Sequence, residues 1–192
     1  MALSKTAKHT QQKLIDAFWE SIEQEGIASL TVGKIAKKAG YNRTTFYEYF
    51  IDVDDLLHQE EEKLLQHIQE RIEANILQKD RTQIDFLELG KEAFLVDGEK
   101  LYSLISPKGD PAFSKRLEAL LRPYFFELFQ WDSQDPSLDY FSAYAFSALI
   151  GLMNCWIEND KNIAMDELFP LMHELIMEGA KNFIESKVNQ EK

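Results

Sequence analysis

Residues 31–50 read TVGKIAKKAGYNRTTFYEYF. Thr31 is a helix-capping residue ahead of Val32, Ile35, Ala36 and Ala39, whose spacing marks a short helix. Gly40 ends that helix, because glycine takes up the left-handed backbone that strains other residues. Asn42 caps a second short helix, predicted to run to about Phe50. Ala36 and Ala39 let the two helices approach closely, so the stretch predicts a helix-turn-helix, motif 31–50. Helices this short cannot bury themselves, so their neighbours must supply the apolar support.

The flanks read the same way. Upstream, Leu14, Ile15, Phe18 and Ile22 form a helical stripe that Gly26 stops. Downstream, Asp52 caps a helix with Asp54 and Asp55 in its first turn, where carboxylates meet the positive end of the dipole. It carries Leu56, Leu57, Leu64, Leu65, Ile68 and Ile72 and is predicted to reach about Leu77. Beyond DRTQ come a helix closing near Gly98, a short one at Leu101–Ile105 and the loop SPKGDP. Segment 111–131 is helical by pattern, with Pro123 expected to kink or divide it. Two more helices are predicted at about 138–159 and 166–186, with Pro170 tolerable only in a first turn. The expectation is an all-α fold: a three-helix N-terminal domain joined by a long helix to a larger helical domain.

Composition narrows the function. Of 192 residues 45% are hydrophobic, enough for a real core, while eight glycines and five prolines are too few for a turn-rich sandwich or barrel. The one cysteine, Cys155, excludes an internal disulfide; it fits a reducing cytoplasm and is expected to be buried and inert. The start, MALSKTAKHTQQ, has no apolar core of a secretory signal, and no uninterrupted apolar run approaches the ~20 residues that span a bilayer. A cytoplasmic protein without a membrane segment is expected. Residues 1–50 hold seven Lys/Arg against five Asp/Glu, whereas residues 51–192 hold 14 against 28. A basic end on an acidic body suits docking to a polyanion.

Enzyme signatures are missing: there is no GxGxxG, Walker loop or GxSxG, and His173-Glu174 lacks the second histidine of a zinc protease helix. Counted from Asp52 as a calcium loop, the sixth and twelfth positions are Leu57 and Lys63 where glycine and glutamate are needed. His9, His58, His67 and His173 are scattered. The sequence calls for no enzyme, metal or cofactor.

The second helix of a helix-turn-helix is the one offered to the major groove of duplex DNA. Arg43 suits guanine or phosphate, Thr44 and Thr45 offer hydroxyls and methyls, and the phenols of Tyr47 and Tyr49 reach toward phosphates. Phe46 and Phe50 are expected to face the core. Thr31 opens the preceding helix with a hydroxyl, and Lys34, Lys37 and Lys38 add a positive rim.

The segment LTVGKIAKKAGYNRTTFYEYFIDVDDLL resembles the DNA-binding segment of the TetR family of bacterial transcriptional regulators. The likeness rests on the apolar–x–x–Ile-Ala–x–x–Ala-Gly pattern, the Thr–aromatic–Tyr run and the acidic helix start ending in Leu-Leu. NRTTFY together with the later GLMNCWIEND also resembles a subgroup common in low-GC Gram-positive bacteria. The resemblance implies DNA contacts at Thr31, Tyr41, Asn42, Arg43, Thr44, Thr45, Tyr47 and Tyr49. It makes residues 8–68 a helix-turn-helix domain and 69–192 an effector-binding and dimerisation domain. Glu48 and Val53 depart from the family, which often has tyrosine and lysine there. Lys5, Lys8, His9 and Lys13 are candidates to compensate if an N-terminal arm reaches the duplex.

One recognition helix reads few base pairs, so such modules act as symmetric dimers on palindromes. The helix at 138–159 carries the small residues Ala145, Ala148 and Gly151 among Phe141, Tyr144, Leu152 and Trp156. The last helix aligns Leu168, Met172, Leu175, Ile176, Gly179 and Phe183. The resemblance implies that these two helices pair with those of a second copy. It also implies a small-molecule effector pocket among the central aromatics, for which Phe86, Phe94, Tyr102, Phe125 and Tyr144 are candidates. The expected function is a homodimeric repressor released from a double-stranded DNA operator by an effector. The alternative is a TetR-like co-regulator that acts mainly through a protein partner.

Overall fold

The computed structural model describes residues 4–75, 86–129 and 136–179. Among the described residues there are eight α-helices and no strand, as the sequence predicts. They are α1 (Lys5–Glu25), α2 (Val32–Lys38), α3 (Arg43–Tyr47), α4 (Val53–Asn75), α5 (Phe86–Ile105), α6 (Pro111–Phe129), α7 (Ser137–Glu158) and α8 (Met165–His173). The chain divides into two units: Met1–His67 with Asp97–Ser114, and Ile68–Val96 with Lys115–Lys192.

The first unit closes around short apolar side chains. Leu14 and Phe18 of α1, Ile35 of α2, Phe46 of α3 and Leu56 of α4 are all fully buried. Burying each such side chain stabilises the fold by about 1.5–3 kcal/mol, which two short helices lack alone. At the edge of this core the Trp19 indole N–H donates to Glu60 Oε2 at 3.0 Å. Lys63 Nζ lies 2.7 Å from Glu60 Oε1, so the buried carboxylate is compensated on both oxygens. Segment 97–114 belongs to this unit through the Ile27 N–H, which donates to the Lys108 carbonyl at 3.0 Å. Lys100 Nζ also sits 5.5 Å from the centre of the Trp19 ring.

The second unit is built on aromatic and sulfur packing. Met153, Trp156, Leu168 and Met172 form a buried cluster. Phe94 meets the rings of Trp156 and Phe169 edge-on, each with centroids 6.3 Å apart. Arg71 Nε donates to Glu92 Oε2 at 2.6 Å, tying α4 to α5 within this unit.

Several boundaries differ from expectation. α3 stops at Tyr47, because the amides of Tyr49 and Phe50 both turn back to the Phe46 carbonyl at 3.0 Å. α5 runs on to Ile105 across a kink at Asp97 (φ −161°, ψ 78°), whose carboxylate caps the second half by accepting from the Lys100 N–H. α6 continues through Pro123. Pro170 lies inside α8 rather than in its first turn, and the helix rewinds as a wide π turn at Glu174–Glu178. Gly179 follows the π turn at φ +80°, and the rest of the helix predicted to 186, with Phe183, lies outside the described residues. Asp139–Glu158 is long and apolar enough to cross a membrane by length and composition, which the count of uninterrupted runs passed over because serine and asparagine punctuate it.

Candidate nucleic-acid interface

The turn between α2 and α3 is fixed by backbone bonds at both ends. The Tyr41 N–H donates to the Ala36 carbonyl at 2.8 Å and the Gly40 N–H to Lys37 at 3.1 Å, while Gly40 sits at φ +79°. This pair closes the carbonyls that α2 would otherwise leave open. Nothing lies within 4 Å of a Cβ placed on Gly40, so its backbone conformation, not space, demands glycine. Asn42 Oδ1 accepts from the Thr45 N–H at 2.9 Å and caps α3; Thr31 Oγ1 accepts from the Lys34 N–H at 3.3 Å and caps α2. α4 opens with a reciprocal cap. Asp52 accepts from the Asp55 N–H, and Asp55 Oδ2 accepts from the Ile51 N–H, both at 2.8 Å. The Ile51 N–H, aided by Gln59, holds the Asp55 carboxyl below the usual aspartate range.

These caps leave α3 with one buried and one open side. Phe46 and Phe50 are buried and stack with centroids 5.4 Å apart. Arg43, Thr44, Tyr47 and Glu48 are exposed; Thr45 and Tyr49 are half-buried. Tyr47 is 58% exposed despite its size. A cation, hydroxyls and phenols around a helix start form a surface that accepts phosphate oxygens and base edges.

The positive rim is arranged differently from expectation. Lys34 Nζ turns away onto Glu25 Oε2 at 2.6 Å and the Ser29 carbonyl at 3.0 Å. That contact holds the Glu25 carboxyl below its ordinary value. Lys38 reaches Gln24 at 2.9 Å and Glu20 at 3.5 Å. Both lysines therefore neutralise α1 carboxylates. Among the described residues Arg43 makes no ion pair. Tyr41 is half-buried, with its phenol 3.4 Å from Thr10 Oγ1 on α1. Ser4 caps α1, so Lys5, Lys8, His9 and Lys13 stand exposed on its first turns rather than on an extended arm. The sequence did not single out Thr10, which meets the Tyr41 phenol, or Gly33, where an added Cβ would lie 2.7 Å from Arg43 Nη2. Gly33 had a visible signal, a glycine in the first turn of a helix, where alanine is the better helix former.

In the second unit, α7 has two faces. Ser142, Ala145, Phe146, Met153 and Trp156 are buried in the unit's own core. Tyr140, Ala143, Tyr144, Ser147, Gly151 and Cys155 are exposed. Cys155 thus lies on the open face, not in the core as its residue type suggests. Phe141, Ala148 and Leu152 are half-buried between the two faces. On the last helix Met172 and Ile176 are buried within the unit and Leu175 is half-buried, its carbonyl 3.4 Å from the Tyr144 hydroxyl. Phe183 lies outside the described residues. Of the aromatics named for an effector, Phe94 and Tyr144 belong to the second unit and Tyr102 to the first. Phe86 and Phe125 fall on α5 and α6, with side chains outside the described set.

The sequence model for bacterial regulatory proteins of the tetR family matches residues 14–59. A second, described as a transcriptional regulator C-terminal region, matches residues 92–178. Together they span more than half of the chain. No curated protein sequence matches it. Among solved structures it is similar to the fatty acid degradation regulator FadR from Bacillus halodurans, with 19% identity, TM-score 0.65 and coverage of 94% of this chain and 98% of that one. NalD from Pseudomonas aeruginosa, the secondary repressor of the MexAB-OprM multidrug efflux pump, has 16% identity, TM-score 0.65 and coverage of 92% and 98%. FadR from Thermus thermophilus, solved in complex with lauroyl-CoA, has 18% identity, TM-score 0.51 and coverage of 88% and 94%. At these identities the likeness is one of fold, while the two matched regions reach the helix-turn-helix and the helical body alike. The chain belongs to the TetR family of bacterial regulatory proteins.

Proposed function

We propose that the chain is a cytoplasmic, homodimeric repressor that binds a palindromic DNA operator and is released by a small-molecule effector. The observation that carries the DNA reading is α3, whose Phe46 is fully buried while Arg43, Thr44 and Tyr47 stand open beside it. A helix anchored this way offers its polar groups without having to reorganise, the condition for tight contact with phosphates and bases. Thr31, Asn42, Thr45 and Tyr49 border the same surface, and Tyr41 supports it from α1 through Thr10. Lys34 serves as a bridge to α1 rather than as a free phosphate contact.

The dimer reading rests on α7. Only 28% of the most apolar 18 residues within Asp139–Glu158 is buried, although their composition is that of an interior helix. Gly151 stands on this face with nothing within 4 Å of a Cβ placed on it, so a second helix can come close there. A second copy covering this face also sets two recognition helices on one duplex. The effector reading draws on the aromatic packing around Phe94 and on the relatives, one of which was solved with an acyl-CoA.

The test is selection of duplexes from a random-sequence pool by the full-length chain. The expected product is an inverted repeat. Failure to enrich any sequence at low or physiological salt would refute the DNA reading and favour action through a protein partner.

A further inference from the structure

Gly33 is an expensive residue at its position. It stands in the first turn of a seven-residue helix, where glycine is a poorer helix former than alanine. Its backbone angle does not require it, since its φ is not positive, and the three atoms nearest to an added Cβ all belong to one side chain. That side chain is Arg43, the first residue of α3. A Cβ at Gly33 would lie 2.7 Å from Arg43 Nη2, 3.0 Å from Nε and 3.2 Å from Cζ. The guanidinium therefore rests on bare backbone of α2.

We infer that Gly33 is a positioning residue for DNA binding: it keeps the α2 surface bare so that Arg43 lies across α2 and contacts the phosphate backbone rather than a base edge. This rests on the reading of α2 and α3 as the DNA interface. Two observations converge on it. Arg43 is exposed and, among the described residues, makes no ion pair, whereas Lys34 and Lys38 are held by α1 acids. The guanidinium lies against α2 at Gly33, whereas Thr44 and Tyr47 are exposed residues of α3 itself. Arginine also loses less freedom per bond when its planar fork is held in advance. The nearest atoms that a methyl at Gly33 meets are the far end of a flexible side chain, so the substitution is expected to move Arg43 and leave the helix intact.

The experiment is a double-mutant cycle on the full-length protein with a duplex that the wild type selects from a random pool. Arg43→Ala should weaken binding about tenfold or more per contact, the loss expected for a charge-assisted bond. It should do so about uniformly over single-base variants of the duplex and lower the slope of log affinity against log salt by about one per protomer. Gly33→Ala should reproduce part of that loss and part of the slope change while the melting temperature stays equal or rises. Added to Arg43→Ala, the Gly33→Ala change should have no further effect. If Arg43→Ala leaves affinity unchanged, the assignment of Arg43 to DNA is wrong. If Arg43→Ala weakens binding but Gly33→Ala does not, or does so equally when Arg43→Ala is already present, the positioning role is wrong. A loss confined to one base position in Arg43→Ala overturns the phosphate assignment in favour of base readout.

Discussion

The α2–α3 turn and the open face of α7 solve opposite problems. In the turn the caps find their partners within the chain: the Gly40 and Tyr41 amides close α2, Asn42 caps the start of α3, and Phe46 is fully buried. What remains outside is polar, and it is offered to a charged partner. On α7 the unfinished part is apolar, with Tyr140 80% and Tyr144 51% exposed along a face broken by Gly151. A surface of that composition is completed by another apolar surface rather than by water. One unit thus has its helix caps met inside the chain and a polar face exposed, while the other carries a partly exposed apolar face, which the proposed dimer would cover.

The largest way to break the first half of the comparison is Phe46→Ala. Removing that ring from a fully buried site should lower stability by about 3–5 kcal/mol, read by denaturant unfolding with Trp19 fluorescence as one reporter. A loss below about 1 kcal/mol would mean that α3 is not anchored as described. The second half is probed by Gly151→Glu. In an isolated chain the new side chain meets open space and should leave the fold unchanged. In a dimer it buries an unpaired carboxylate, a penalty of about 3–5 kcal/mol, and sedimentation should show the species shift to monomer. A variant that sediments like the wild type would remove Gly151 from the interface.

Smaller effects sharpen the turn itself. Gly40→Ala places a Cβ at φ +79° and should destabilise the first unit by about 1–2 kcal/mol, seen as a lower denaturation midpoint. Asp55 gives the smallest and most specific effect. Its folded carboxyl is held below the unfolded value by the Ile51 N–H. The contribution is therefore complete above the unfolded carboxylate range, near pH ~4, and is lost as pH falls through the folded value. Asp55→Asn should lower the melting temperature at neutral pH and leave it nearly unchanged at about pH 2, so the two curves converge on acidification. Parallel curves would show that the cap at Asp55 does not depend on its charge.

The turn was legible in the sequence because its rules are local. Caps and positive-φ positions act within four residues, so Thr31, Gly40, Asn42 and Asp52 announce the helices they bound. The buried sides of α1 and α3 followed from helical spacing. Long-range choices were not legible. Nothing near Lys34 in sequence says that its amine turns to Glu25, nine residues back and on another helix. Cys155 was misplaced because residue type alone suggested burial, whereas its position on α7 puts it beside Gly151 and Tyr144 on the open face. The π turn at Glu174–Glu178 was not legible either, because helical spacing carries no sign of one extra residue in a turn. The aromatics proposed for an effector were grouped by composition, and Tyr102 belongs to a different unit from Phe94 and Tyr144.

The central claim is that two copies of this chain present their α3 helices to one duplex. Sedimentation velocity of the full-length protein, alone and with the duplex it selects, tests this most directly. The expected result is a dimer alone and two chains, or a multiple of two, on each inverted repeat. A single chain on the duplex, or no complex at any salt, would contradict it.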